Sequence, residues 1–339
     1  MKKFSVPSGG FRKILIVKPS SFGDVLHGLP VLHALSQRFP QAEIHWVVAK
    51  AFASILEDHP LIDRLWVIDK DSWKRPGRLA STFSELRRLR RGLRDEKFDL
   101  VIDLQGLFRS AMIVHFTGAP ESVGFESARE GARFFYRYRV RTETELHAVE
   151  KNLLLARFVG CEPAEPRFPL PHPGDPPPIV KSLGPYAVIA PSAGTLVKRW
   201  PAECFARLVS LLPIPAVIVT GRSDAALGSE IARLCGPGVI SLAGKTSLKE
   251  LGAVIKSAQF LVTCDSGPMH LAAALGVPVF SIFGPTDPVR TGPYGNIHTV
   301  IRRELPCSPC FTRKSCSDWR CIRDITPEMV LQAIADKKR

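Results

Sequence analysis

The feature that most constrains this chain is a repeated alternation of two patterns. Short β-branched, apolar runs at residues 14–17, 44–48, 65–68 and 100–104 are separated by helix-like patterns at 26–39, 51–58 and 82–96. The rhythm returns with runs at 187–190, 217–220, 239–242, 261–264 and 277–283, spaced by helical patterns at 202–212, 225–234 and 248–257. Strands that are apolar throughout, joined by helices, predict parallel sheets covered on both faces. Between the two series lie Pro163, Pro166, Pro169, Pro171, Pro173, Pro176, Pro177 and Pro178. That stretch cannot continue a helix or a central strand and reads as an extended, stiff linker. The expectation is a first α/β domain over 1–170, a linker over 171–185 and a second α/β domain over 186–325. Thr326 and Pro327 then open a last helix within 326–339.

A chain of 339 residues with 45% hydrophobic content can bury two cores without covalent staples. Its longest uncharged apolar stretch, 271–283, is broken by Gly276 and Pro278 and is too short to span a bilayer. Residues 1–11 are polar and carry no secretory pattern, so the reading is a cytoplasmic protein. The net charge is +14. It gathers at Lys74, Arg75, Arg78, Arg87, Arg88, Arg90, Arg91, Arg94 and Lys97, and again at Arg129, Arg133, Arg137, Arg139 and Arg141. Such patches suit an anionic partner, whether nucleic acid, phosphorylated lipid or a membrane surface; a solvated helix face is the plainer alternative. Aromatics are not interleaved with the basic residues as a base-stacking platform requires, except at Phe134, Phe135, Tyr136 and Tyr138, which disfavours a nucleic-acid-binding module.

Two strand ends carry the chemistry. After the first strand comes Ser20-Ser21-Phe22-Gly23-Asp24-Val25-Leu26-His27. Gly23 stands alone, without the spaced glycines that let a backbone approach a dinucleotide pyrophosphate, which disfavours a nicotinamide dehydrogenase. Asp24, at a helix start, reads either as a capping carboxylate or as a general base within reach of an acceptor hydroxyl. His27 is the competing base, or a packed ring. In the second half Cys264-Asp265-Ser266-Gly267-Pro268-Met269-His270 again follows a strand. There a helix start turns unpaired N–H groups and partial positive charge toward an anion. Gly267 permits close approach, Asp265 suits sugar hydroxyls and His270 suits a phosphate. The turn Ser192-Ala193-Gly194-Thr195 offers hydroxyls and open amides, and Lys198 reads as a diphosphate partner or as a surface lysine. Phe283-Gly284-Pro285-Thr286-Asp287-Pro288 should line the same sheet edge. These turns predict two domains facing one another over a cleft.

These blocks are similar to those of the bacterial ADP-heptose:lipopolysaccharide heptosyltransferases, glycosyltransferase family 9. The resemblance runs from Ile14 to Leu331. It rests on Lys18-Pro19-Ser20-Ser21-Phe22-Gly23-Asp24-Val25-Leu26-His27, Asp103-Leu104-Gln105-Gly106-Leu107, Ser127-Ala128-Arg129-Glu130, Lys198-Arg199-Trp200-Pro201, Asp265-Ser266-Gly267-Pro268-Met269-His270-Leu271 and the 283–288 turn. With His147-Ala148-Val149-Glu150, the first and third blocks look most like the heptosyltransferase I branch, which adds the first heptose to the Kdo region of the lipid A inner core. The resemblance implies a GT-B fold of two Rossmann-like domains and an inverting transfer. It implies Asp24 as base, Lys198 at the donor phosphates, Asp265 at the heptose, Ser266, Gly267 and His270 at the diphosphate, and Thr246 near the adenine. It also implies Arg129 facing the acceptor, although a surface arginine paired to Glu130 or Glu126 is the competing reading. It implies no cofactor beyond the ADP-heptose donor, a lipid A/Kdo acceptor at the inner membrane surface, and a monomer. The heptosyltransferase II branch, or another nucleotide sugar, is the alternative. Relatives place two threonines where Ala193-Gly194 stands here, so donor contacts would shift to Ser192, Thr195 and the Gly194 amide. Some relatives also use a glutamate after the 219–221 strand end, where Arg222-Ser223-Asp224 offers only Asp224.

Two further signals stand apart. Asp69-Lys70-Asp71 has the form of a diphosphate-metal motif but reads equally as turn residues; Lys198 and the helix start already supply positive charge. Cys307, Cys310, Cys316 and Cys321 have spacings that can close a structural zinc site, with reduced loop thiols or disulfides as alternatives.

Overall fold

The computed structural model describes residues 4–69, 79–142, 145–162, 165–311 and 316–337. Lys70, Asp71, Lys74, Arg75, Arg78 and Pro163, named above, lie outside them. The chain divides into two units, Met1–Pro171 and His172–Arg339. The first holds strands β1 (Lys13–Val17), β2 (Glu43–Ala49), β3 (Arg64–Ile68), β4 (Leu100–Asp103), β5 (Glu121–Phe125) and β6 (Tyr138–Val140), in the order β3-β2-β1-β4-β5-β6. The second holds β7 (Ala187–Ala190), β8 (Ala216–Ile218), β9 (Ile240–Ser241), β10 (Phe260–Cys264), β11 (Val279–Phe283) and β12 (Thr299–Arg302), in the order β12-β11-β10-β7-β8-β9. Every pairing is parallel. Read outward from its first strand, each sheet has the same doubly wound order, with a switch point between β1 and β4 in one unit and between β7 and β10 in the other.

The central strands are buried along their whole length because helices cover both faces. Ile14, Leu15, Ile16 and Val17 are inaccessible to solvent, as are Val188, Ile189 and Val262. The flanking strands β3, β6 and β12 alternate between buried and exposed residues. In the first core, Trp66, Phe98 and Tyr136 pack with Leu15 and Val101. In the second, Trp200 meets the Phe205 ring edge-on at 4.9 Å and donates its indole N–H to the Ile325 carbonyl at 2.7 Å. Val330 and Ile334 of the last helix, Pro327–Lys337, enter that same core, so this helix belongs to the second unit.

The long helix expected over 26–39 is two helices, Phe22–Leu26 and Leu29–Arg38. The break falls at Gly28, where a Cβ would lie 2.8 Å from the Trp46 ring, and Pro30 restarts the second helix in its first turn, where no N–H is needed. The pattern at 51–58 tightens into a 3₁₀ segment, Lys50–Ile55. Inside the proline-rich stretch Pro178–Lys181 form one helical turn with Pro178 at its first position. Helices Phe108–Thr117 and Ala148–Phe158, and strands β5, β6 and β12, were not anticipated.

Candidate functional site

The first cluster sits where β1 and β4 end, on the two sides of the switch point. Ser21 caps the helix Phe22–Leu26, and Asp24 at its third position reaches back. One Asp24 carboxylate oxygen accepts from both the Ser21 amide and the Ser21 hydroxyl, each at 2.8 Å. The other lies 3.9 Å from the Lys18 ammonium. The N-cap is thus Ser21 and not Asp24, which completes a capping box from the third helical position; this fixes the carboxylate's rotamer without hiding it, and 42% of the side chain stays accessible. Lys18 is buried and donates to the Leu104 carbonyl at 2.8 Å. Burial pulls its pKa below the ordinary lysine value, opposed by the charges of Asp24 and Asp103.

From the β4 side, Gln105 accepts the Ser20 amide at 3.2 Å. Asp103 shapes that loop: one oxygen takes the Gln105 and Gly106 amides at 2.8 and 3.1 Å, and the other takes the Tyr136 hydroxyl at 2.7 Å. Burial raises the Asp103 pKa while those hydrogen bonds pull it down; burial and the Asp103 charge push the Tyr136 phenol up. The Tyr136 ring lies over Gly124, where even a methyl carbon would come within 2.3 Å of it. Gly106, at φ +69°, accepts the Arg129 amide at 2.9 Å and so sets the 127–130 segment on the same edge. Arg129 is exposed and makes no ion pair among the described residues. Glu130 instead accepts the Phe108 amide at 3.1 Å, and Glu126 pairs with Arg141 at 3.4 Å. His27 is buried with its ring 5.4 Å from that of His147, as a packed residue rather than an exposed base.

The second cluster gathers the ends of β7, β10 and β11. Lys198 donates to an Asp265 carboxylate oxygen at 2.5 Å, and the Thr286 hydroxyl donates to the same oxygen at 2.8 Å. Ser266, extended at the N-cap of the helix Gly267–Ala274, pairs its hydroxyl with that of Thr263 at 2.9 Å. The first-turn amides of that helix stand at the switch point, the position at which parallel sheets bind anions. His270 is buried in the same first turn. Thr246 is half-buried in the turn between β9 and the helix Leu248–Lys256, beside Gly244, whose amide donates to the Thr220 carbonyl at 3.0 Å.

Four buried polar atoms gather here, two of them, on Thr220 and Arg199, given no role by sequence reasoning. The hydroxyls of Ser192, Thr195 and Thr220 and the Nε of Arg199 have no hydrogen-bond partner among the described residues. Arg199 does place one guanidinium nitrogen 2.6 Å from Asp224. Such orphaned groups are costly and uncommon, and here they lie along one sheet edge with the Lys198–Asp265 pair. A ligand rich in phosphate and hydroxyl groups matches that set. Above Gly194 a Cβ would meet nothing within 4 Å, leaving open room beside them. Cys264 is no nucleophile: burial pushes its thiol up to about 12, and its sulfur accepts the Trp200 amide at 3.4 Å.

Comparison with known proteins gives the family and the fold class. The profile of Glycosyltransferase family 9 (heptosyltransferase) matches residues 86–319. Lipopolysaccharide heptosyltransferase 1 of Pseudomonas aeruginosa is 32% identical over 318 residues, covering 90% of this chain and 87% of that protein. The enzyme of the same name from Escherichia coli K12 is 32% identical over 304 residues, covering 86% and 93%. Among solved structures, E. coli heptosyltransferase WaaC with ADP superposes with a TM-score of 0.80 at 29% identity, covering 96% of this chain and 99% of that one. A glycosyl transferase family 9 protein from Veillonella parvula shares the fold at a TM-score of 0.82 and 22% identity, covering 96% and 97%. With its paired doubly wound units of the GT-B class and its matching blocks in order, the chain belongs to glycosyltransferase family 9.

Proposed function

We infer that this chain is an inverting heptosyltransferase that moves L-glycero-D-manno-heptose from ADP-heptose to the Kdo region of the lipid A inner core. The observation that carries this reading is the Lys198–Asp265–Thr286 constellation at the β7/β10 switch point, with unpartnered hydroxyls beside it. In support, relatives alike over most of the chain carry the name lipopolysaccharide heptosyltransferase 1, and WaaC has been solved with ADP-2-deoxy-2-fluoro heptose.

In this reading Lys198 turns its charge to the donor diphosphate, aided by the Ser266 and Gly267 helix start, by Ser192 and Thr195, and by the Gly194 amide. Asp265 holds heptose hydroxyls, Thr246 borders the adenine and His270 supports the phosphate end. Asp24 accepts the proton of the acceptor hydroxyl as its oxygen attacks the anomeric carbon. The bond to ADP breaks on the opposite face, and the leaving diphosphate takes the electron pair under Lys198 and the helix dipole. These cations serve the leaving group, so the chemical step is assigned no metal cofactor. Arg129 meets the anionic acceptor, and the chain works as a monomer at the cytoplasmic face of the inner membrane.

The test is a donor panel of ADP-heptose and UDP-, GDP- and ADP-hexoses against purified inner-core acceptors, read by product mass. ADP-heptose should give the single-heptose product. With Asp24→Ala, transfer should fall by about 10³-fold or more while calorimetric ADP binding stays intact. Turnover by that variant near the wild-type rate would remove Asp24 as the base.

A further inference from the structure

Four cysteines take no part in the reaction described above. Cys307 and Cys310 form one closely spaced pair, and Cys316 and Cys321 a second. No cysteine is in a disulfide among the described residues. All four of these thiols line a single cavity of about 30 Å³, together with Trp319 and Pro285, and Cys321 lies within electrostatic reach of the other three. Each pair is followed or spanned by a left-handed residue that is not glycine, Phe311 at φ +54° and Trp319 at φ +53°. The Trp319 amide donates to the Cys316 sulfur at 3.4 Å. Arginines flank the loop: Arg290 over the Phe311 ring and Arg323 over the Trp319 ring, both at 5.5 Å.

We propose that Cys307, Cys310, Cys316 and Cys321 form a structural zinc site that fixes the 284–286 turn. Binding replaces four S–H bonds by four Zn–S bonds and releases four protons, leaving a dianionic centre beside Arg320, which lines the same cavity. Among the described residues no three His, Cys, Asp or Glu side chains yet stand at ligating distance of one point, so the sulfurs must draw inward on binding. The loop is tied to the donor cluster by three hydrogen bonds. The Ser308 hydroxyl donates to the Gly284 carbonyl at 2.8 Å, and the Cys310 and Phe311 amides donate to the Pro285 carbonyl at 3.1 and 2.8 Å. The next residue, Thr286, holds Asp265. The ion is thus a positioning device for the sugar-binding carboxylate. That consequence rests on the donor site proposed above; the metal site itself does not.

The experiment uses the full chain purified without chelator. Elemental analysis should find about one zinc per chain, and a chromogenic thiol reagent should count about four fewer reactive thiols than after zinc is stripped with a pyridylazo chelator. Cys310→Ser and Cys316→Ser should lose the metal, while Cys204→Ser should keep it. Stripping should weaken ADP-heptose binding by about 10-fold, restored by added zinc. The metal site is overturned if zinc-supplied wild-type protein retains none and all four thiols react alike with and without chelator. Intact mass showing two disulfides, or iron in place of zinc at equal occupancy, overturns it as well. Unchanged donor binding in the stripped protein overturns the coupling to the 284–286 turn. Neither metal content nor thiol protection depends on the transferase reading, so the two failures are separable.

Discussion

At the scale of single residues, the second cluster is organised by one oxygen. An Asp265 carboxylate oxygen receives both the Lys198 ammonium and the Thr286 hydroxyl, so each neighbour controls where that charge points. Lys198→Ala should lower kcat/KM for the donor by about 100-fold, because a cation is lost where negative charge develops on the leaving group. Thr286→Val keeps the shape and removes one hydrogen bond to a carboxylate; steady-state kinetics should show a fall of about 10-fold, mainly in donor KM. If both variants behave as wild type, the cluster does not hold the donor. Asp265 could be placed at a sheet edge from the sequence because it directly follows the apolar run of β10, whereas Lys198 and Asp24 lie in the segments beyond β7 and β1, where the loop path decides the position. The unpartnered state of Ser192, Thr195 and Thr220 could not be read there, because satisfaction of a hydroxyl depends on neighbours far along the chain.

At the scale of elements, Glu96 joins three of them. It sits between the helix Leu79–Asp95 and β4, accepts Lys13 of β1 at 2.8 Å and Arg64 of β3 at 2.5 Å. The hydrogen bond from Lys13 holds its carboxyl below the usual value of 4.5, against the opposing effect of burial. A depressed carboxylate stabilises the folded state above its unfolded pKa, and that stability drains away as pH falls through the lower folded value. Glu96→Gln should therefore lower Tm at pH 7 by a few degrees and narrow the gap to wild type below pH 4. A thermal scan with equal gaps at both pH values would remove the pair's role. The central strands were readable because burial on both faces leaves an unbroken apolar run. β5, β6 and β12 were not, since Glu121-Ser122, Tyr138-Arg139-Val140 and Thr299-Val300-Ile301-Arg302 alternate with polar residues. The helix Phe108–Thr117 starts behind Leu107, which has no capping side chain to announce it.

At the scale of the whole molecule, the two units repeat one winding order, each with a switch point beside its first strand. No helix among the described residues is long and apolar enough to cross a membrane. The surface nevertheless suits an anionic bilayer. Arg87, Arg88, Arg90 and Arg91 stand exposed on the helix Leu79–Asp95, where Phe83 is 68% exposed. Phe134 is 66% exposed under the guanidinium of Arg133 at 4.9 Å. In flotation assays the chain should bind vesicles containing phosphatidylglycerol, bind phosphatidylcholine vesicles weakly, and be released near about 0.5 M salt as screening shortens the reach of the charges. Equal binding to both vesicle types, or none to either, would remove the basic surface from the account of how the enzyme meets its acceptor.

The contact between Gly124 and the Tyr136 ring has a consequence for descent. No side chain can enter at 124 while the tyrosine remains, so drift at that position must wait for a smaller residue at 136. Losing the ring takes the Tyr136 hydroxyl from one oxygen of the buried Asp103 carboxylate, so the first step of that path is itself a handicap. The two sites should change together in a lineage or stay frozen together.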